Sequence, residues 1–212
     1  MLDIILRPLK DVVVDPLILL LKNLKVSPNV FTLLSGLCGL IGVYYSTVQM
    51  QWHSLVFFLL TRLLDGIDGA YARATNQCTE FGGYLDIIVD FTIYGLIPIG
   101  VTMGTPEGQE PAWVAMGVLL NTFFVNAAGL FFLSALIEKN QNAKRKYGDK
   151  KELTTVSMPP ALIEGTESYI FFGLMILFGD NGFIQASLYW LFSLGVTITI
   201  LQRLWWAYKN LD

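Results

Sequence analysis

The chain has 212 residues, 54% of them apolar and only 15% charged, with a net charge of −3 and a mean hydropathy of +0.55. Soluble domains carry about 25% charged residues, so this composition argues against a soluble core and for a polytopic membrane protein, with no nucleic-acid partner expected. The two cysteines, Cys38 and Cys78, stand apart and offer neither a disulfide framework nor zinc-ligand spacing.

Residues 1–25 mix apolar residues with Arg7, Lys10, Asp11, Asp15 and Lys22, and Pro8 and Pro16 break any long helix. The pattern predicts a juxtamembrane amphipathic helix lying on the membrane. A first span is the competing reading, but the charges fall inside the ~20 residues a span needs. No small-residue pattern marks a cleavable signal. Six spans are predicted near 30–49, 52–72, 83–104, 112–137, 160–179 and 183–206, so that 26–212 form one all-α transmembrane domain. Turn chemistry separates them at 104–111 (GTPEGQEP) and 179–182 (GDNG), and the longest polar break is 139–160.

Lysine and arginine set the expected orientation. None of the 14 basic residues falls in a loop after an odd-numbered span, where Glu107, Glu110 and Asp180 occur instead. Arg62 and Arg203 lie inside spans, and the rest lie in the N-terminal segment, the even-numbered loops and the C-terminus. The positive-inside rule therefore places both termini and the loops after spans 2 and 4 in the cytoplasm. Trp205, Trp206 and Tyr208 fit an interfacial belt on that side, and His53 beside Trp52 reads as a plain interfacial residue.

The chemistry is concentrated in LLDGIDGAYARATNQCTEFGGYLDIIVD. Asp65 and Asp68 are three apart and Asp86 and Asp90 four apart, so each pair shares a helix face. The first pair ends span 2 and the second begins span 3, and the short connection brings the faces together. Ionisable residues within spans normally mark a functional site with a partner. Here that partner is a divalent cation, because unpaired carboxylates would repel and an all-oxygen set suits magnesium, manganese or calcium. Two such ions would suit a phosphoryl displacement, clamping attacking and leaving oxygens. Gly66, Gly69, Gly82 and Gly83 clear space for a ligand beside the carboxylates, although tight helix packing explains glycines equally well. Arg73 supplies a planar cation suited to phosphate. A cation transporter or channel would also use intramembrane carboxylates, but it has no need of Gly69, Arg73 and Gly82 at fixed offsets.

Asp65, Asp68, Gly69, Ala72, Arg73, Gly82, Asp86 and Asp90 fill every fixed position of DxxDGxxARx8GxxxDxxxD, the signature of the CDP-alcohol phosphotransferases, which the chain resembles. At ~5% usage per residue, such a match arises by chance about once in 10^10 positions. SPNVFT before span 1 resembles the family's PNxxT element, with Asn29 and Thr32 one turn apart. The resemblance implies transfer of the phosphoryl-alcohol part of a CDP-alcohol, usually CDP-diacylglycerol, to a second small alcohol, with release of CMP. It implies that Asp65, Asp68 and Asp86 hold two divalent ions, Mg2+ or Mn2+. Asp90 would complete the metal site and act as general base. Asn29, Thr32, Asp65, Gly69, Ala72, Arg73 and Gly82 would surround the CDP-alcohol. It further implies a homodimer in a lipid membrane, and the compact chain without sorting extensions fits a bacterial plasma membrane.

The signature is silent on the acceptor. FTIYGLIP after Asp90 resembles phosphatidylserine and phosphatidylcholine synthases, whereas the stretch from Leu63 to Asp86 resembles eukaryotic phosphatidylinositol synthase. Glu164 and Glu167 have two readings: acids favoured in a first helical turn after prolines, or a lip that binds an amino-alcohol cation. An acceptor carrying phosphate would instead want clustered cations, for which Lys144, Arg145 and Lys146 are available, although a basic run there also serves as a topology signal. Arg62, one turn before Asp65, is expected either to pair with a carboxylate or to touch a substrate phosphate.

Overall fold

A computed structural model describes residue 14 and residues 16–23, 26–105, 110–139 and 161–211. The expected all-α class holds. The helices run α1 (Asn29–Thr47), α2 (Gln51–Ala74), α3 (Glu80–Gly104), α4 (Glu110–Lys139), α5 (Gly165–Leu177) and α6 (Gly182–Asn210). Each predicted span falls on one of them. Helices α1, α3, α4 and α6 are long and apolar enough to cross a membrane. Helix α2 has 24 residues, about 36 Å of rise, but interrupts its apolar surface with Arg62, Asp65, Asp68 and Arg73. Helix α5 has only 13 residues, about 20 Å.

Most of the predicted interfacial helix, and the basic run Lys144–Lys146, lie outside the described residues. The described part is helical over 16–21. It buries Val14 and Ile18 against Ile67 and Tyr71 of α2, and leaves Leu19 and Leu20 exposed.

Helix α1 packs against both α2 and α3, and small residues set the approach. A Cβ on Gly39 would lie 2.6 Å from Cδ1 of Ile93, and one on Gly36 would lie 3.0 Å from Val89. At the other end of α3, Gly104 presses on the Ser46 carbonyl. Close backbone approach of this kind is how helices associate where lipid is as apolar as the side chains. Between α2 and α3 the chain turns in a Schellman-type ending: Asn76 has φ 55°, and the Gln77 N–H donates to the Ala72 carbonyl at 2.8 Å. Thr79 then caps α3, accepting from the Gly82 N–H at 3.0 Å. These two devices fix how the ends carrying the aspartates meet.

The larger core joins α3, α4, α5 and α6 through Tyr94, Leu119, Phe172, Phe192 and Val196. Far from the aspartates, Gln185, Tyr189 and Thr102 form a buried polar knot: the Gln185 amide donates to the Tyr189 hydroxyl at 2.8 Å, which donates to the Pro98 carbonyl at 3.0 Å. Residues 161–164, before α5, are not helical, yet their backbone N–H groups are satisfied by side chains. Ile163 N–H donates to Thr199 at 2.9 Å and Leu162 N–H to Gln202 at 2.8 Å, about three and two turns before the end of α6 respectively. Irregular backbone at membrane depth persists only with such internal partners.

Candidate active site

The site lies where the C-terminal half of α2 meets the N-terminal halves of α1, α3 and α5. Asp65, Asp68 and Asp86 each offer a carboxylate oxygen within 4.8 Å of the other two. Like charges at that separation repel by about 3 kcal/mol per pair at an effective dielectric of ~20. Three converging carboxylates in a protein interior therefore fit a bound divalent ion. The donor set is all oxygen, which matches magnesium or manganese rather than a thiophilic metal.

Asp68 is buried and accepts a hydrogen bond from the Thr32 hydroxyl at 2.6 Å. Thr32, expected beside the nucleotide, thus anchors a carboxylate from below. Asn29 sits against Gly82, where a Cβ would lie 3.2 Å from its Oδ1 and 3.1 Å from Thr79 Oγ1. A Cβ on Gly69 would lie 3.2 Å from Nη1 of Arg73. The two signature glycines therefore leave room for an amide and a guanidinium at the rim. Arg73 is exposed and Ala72 half-buried on the same turn.

Asp90 is treated differently from the other three. It does not fall within the compact group, and both its oxygens are held. Arg62 Nη2 donates to Oδ1 at 2.8 Å, and the Tyr94 hydroxyl donates to Oδ2 at 2.7 Å. Arg62 Nη1 donates to the Tyr94 oxygen at 2.7 Å and lies 3.8 Å from Asp65 Oδ2. Arg62 therefore takes the first of its two expected roles and pairs with carboxylates. Tyr94 and Tyr169 escaped the sequence reading. Tyr94 is one turn beyond Asp90 on the same face, a signal that was available. Tyr169 comes from α5 and nothing local announces it.

Glu164 and Glu167 form a reciprocal capping box on α5. The Glu164 N–H donates to Glu167 at 3.2 Å, and the Ala161 N–H donates to Glu164 at 3.0 Å. The geometry matches the first-turn reading of this pair. A cleft of about 630 Å³ opens beside the end of α2, lined by Lys22, Asn23, Ser27, Thr75 and Gln77 among others. It is not at the carboxylates: Ala74, on its wall, is six residues along α2 from Asp68, about 9 Å.

A family model described as CDP-alcohol phosphatidyltransferase matches residues 25–201. The chain belongs to this family. It is 32% identical over 215 residues to the inner membrane protein YnjF of Escherichia coli, covering 100% of this chain and 97% of that protein. It is 29% identical over 82 residues to the CDP-diacylglycerol-serine O-phosphatidyltransferase of Helicobacter pylori, covering 39% of this chain and 35% of that one. With the CDP-diacylglycerol-inositol 3-phosphatidyltransferase of Schizosaccharomyces pombe, identity is 35% over 75 residues, covering 32% of each. The acceptor-named relatives thus match over about a third of their length. Like other CDP-alcohol phosphatidyltransferases, this membrane enzyme belongs to phospholipid synthesis, and divalent-metal use accords with its aspartate cluster.

Proposed function

We propose that this CDP-alcohol phosphatidyltransferase transfers a phosphatidyl group from CDP-diacylglycerol to a small alcohol and releases CMP. The observation that carries the reading is the convergence of Asp65, Asp68 and Asp86 within 4.8 Å, with Asp90 one turn further along α3. Asp65, Asp68 and Asp86 would hold two divalent ions, magnesium or manganese, with Asp90 at the edge of the set. Bound there, such ions neutralise charge on the diphosphate and on the departing CMP. Asp90 takes the proton from the acceptor hydroxyl. The freed oxygen bonds to the phosphorus that bears the diacylglycerol. The bond from that phosphorus to the bridging oxygen breaks, and CMP leaves with the electron pair. Arg73, Asn29 and the open flanks of Gly69, Ala72 and Gly82 receive the nucleotide diphosphate. The cleft about 9 Å along α2 from Asp68 lies within reach for the cytidine.

An amino-alcohol such as serine or choline fits the acceptor side best. Around Asp90 the described groups are carboxylates, aromatic rings and Arg62, whose two Nη atoms are both engaged by the protein. That surrounding offers a cation more than it offers a phosphate. Inositol, inositol phosphate and glycerol phosphate are the alternative acceptors. We infer six spans: α2 is long enough, and α5 crosses with the irregular stretch that precedes it. By charge asymmetry both termini and the site face the cytoplasm, as expected for a bacterial plasma membrane, and the assembly is a homodimer.

The test is CMP release by the purified protein with Mg2+ and CDP-diacylglycerol, against serine, choline, ethanolamine, inositol, inositol phosphate and glycerol phosphate. Release that depends on one acceptor supports the reading and names the product. Absence of release with all six, together with cation flux in liposomes, would favour a carboxylate-lined transporter instead.

A further inference from the structure

We infer that Arg62, clamped between Tyr94 and Tyr169, is a positioning residue that holds the Asp90 carboxylate apart from the three-aspartate cluster and so keeps it available for proton removal. The inference rests on the reading of Asp90 as the base.

Four observations lead there. First, Asp90 is held at two points by donors on different helices, Arg62 from α2 and Tyr94 from α3 itself. A two-point hold fixes the plane of the carboxylate, and each oxygen still keeps a lone pair for a substrate proton. Second, the guanidinium is itself immobilised. Its carbon lies 5.1 Å from the Tyr94 ring centroid and 4.9 Å from that of Tyr169, within the range of a cation–π contact. Tyr94 in turn stacks on Phe172 at 5.3 Å with an interplanar angle of 14°. The Tyr94 and Tyr169 hydroxyls lie 3.3 Å apart.

Third, Arg62 stands between the two functions. It reaches Asp65 at 3.8 Å on one side and Asp90 at 2.8 Å on the other. Asp90 is one turn from Asp86 on the same helix face, so a cation bound at the cluster would attract it, and the guanidinium at 2.8 Å competes for the same carboxylate. Fourth, stability alone does not account for the group. The Arg62 side chain is 10% exposed, and its buried Nε–H has no acceptor among the described residues. A buried ion pair is weak evidence for stabilisation, and apolar replacements of such pairs are often neutral or better. A charge kept buried under those conditions in a membrane protein points to the chemistry beside it.

The test pairs two readouts on the full-length protein: kcat with CDP-diacylglycerol and the acceptor found active, and the affinity for Mn2+ alone by electron paramagnetic resonance. Arg62→Gln removes the cation and frees Asp90 toward the cluster. The expected result is a fall in kcat of about 100-fold or more with Mn2+ binding unchanged or tighter. A structural role would lower both together. Tyr94→Phe, which keeps the ring packing, should lower kcat about 10-fold through loss of one donor to Asp90. Wild-type kcat in Arg62→Gln, or Mn2+ affinity that falls in step with kcat, overturns the inference. If Arg62→Gln does not fold, an unchanged kcat in Tyr94→Phe overturns it. Asp90→Asn separates the two claims. Full activity there removes the base itself, whereas an inactive Asp90→Asn beside an active Arg62→Gln defeats only the positioning role.

Discussion

Thr32→Val tests the support of the aspartate cluster. Valine replaces the hydroxyl with a methyl of similar shape in a site where Thr32 is 3% and Asp68 7% exposed. The bond lost is the 2.6 Å donation to Asp68 Oδ2. A hydrogen bond to a charged group contributes about 1.5–3 kcal/mol, which is about 10- to 150-fold in an equilibrium constant. Partners that orient metal ligands cost about 10- to 100-fold in affinity when removed. The two routes agree, and Thr32→Val should weaken Mn2+ binding by about 10- to 100-fold. Thr32→Ser, which keeps the hydroxyl, should restore most of it. The assay is an Mn2+ titration of the purified protein, with the KM for CDP-diacylglycerol measured alongside. Mn2+ affinity within about threefold of wild type, with a raised donor KM, would refute the reasoning. That outcome would return Thr32 to the nucleotide side, where a support role would otherwise place it on the metal.

Chelation should abolish CMP release, and Mg2+ or Mn2+ should restore it while Zn2+ does not; restoration by Zn2+ alone would contradict the all-oxygen donor set. Gly104→Ala puts a methyl against the Ser46 carbonyl, a backbone atom that cannot rotate away. It should cost about 1–3 kcal/mol, read as a lowered melting temperature in detergent with the donor KM unchanged. Glu164→Ala breaks the capping box and should cost about 0.5–2 kcal/mol of stability. If it instead raises the acceptor KM at wild-type stability, the pair is an acceptor lip after all.

The parts of the site that are local in sequence were legible in it. Asp65, Asp68, Asp86 and Asp90 announce themselves because a carboxylate in an apolar run is costly to keep without a partner. The helices were legible for a related reason, since apolar length and turn residues are both local. Arg62, one turn before Asp65, was legible as a carboxylate partner, but the partners distant in sequence were not. Thr32 reaches Asp68 across 36 positions, and Tyr169 reaches Tyr94 across 75. Neither is implied by any periodicity. Helix α5 came out shorter than the predicted 160–179 because Glu164 and Glu167 start it at Gly165. The two acids were visible, but their reciprocal bonding is a property of the folded turn. The resemblance gave Asp90 a role of its own, but its spatial separation from its three fellows needed coordinates, because spacing alone makes four equivalent carboxylates.

The shortness of α5 has a consequence for how two unlike substrates meet. A hydrocarbon core is about 30 Å thick, and α5 rises about 20 Å. The end of α5 that carries Tyr169 lies by the aspartates and is preceded by the irregular stretch 161–164, whose N–H groups are satisfied by the side chains of Glu164, Glu167, Thr199 and Gln202. On the proposed reading of α5 as a span, that stretch makes up part of the missing length with N–H groups that need no partner from lipid. The proposed lipid donor and a water-soluble alcohol would then meet beside it, at the one level where oil and water share a border.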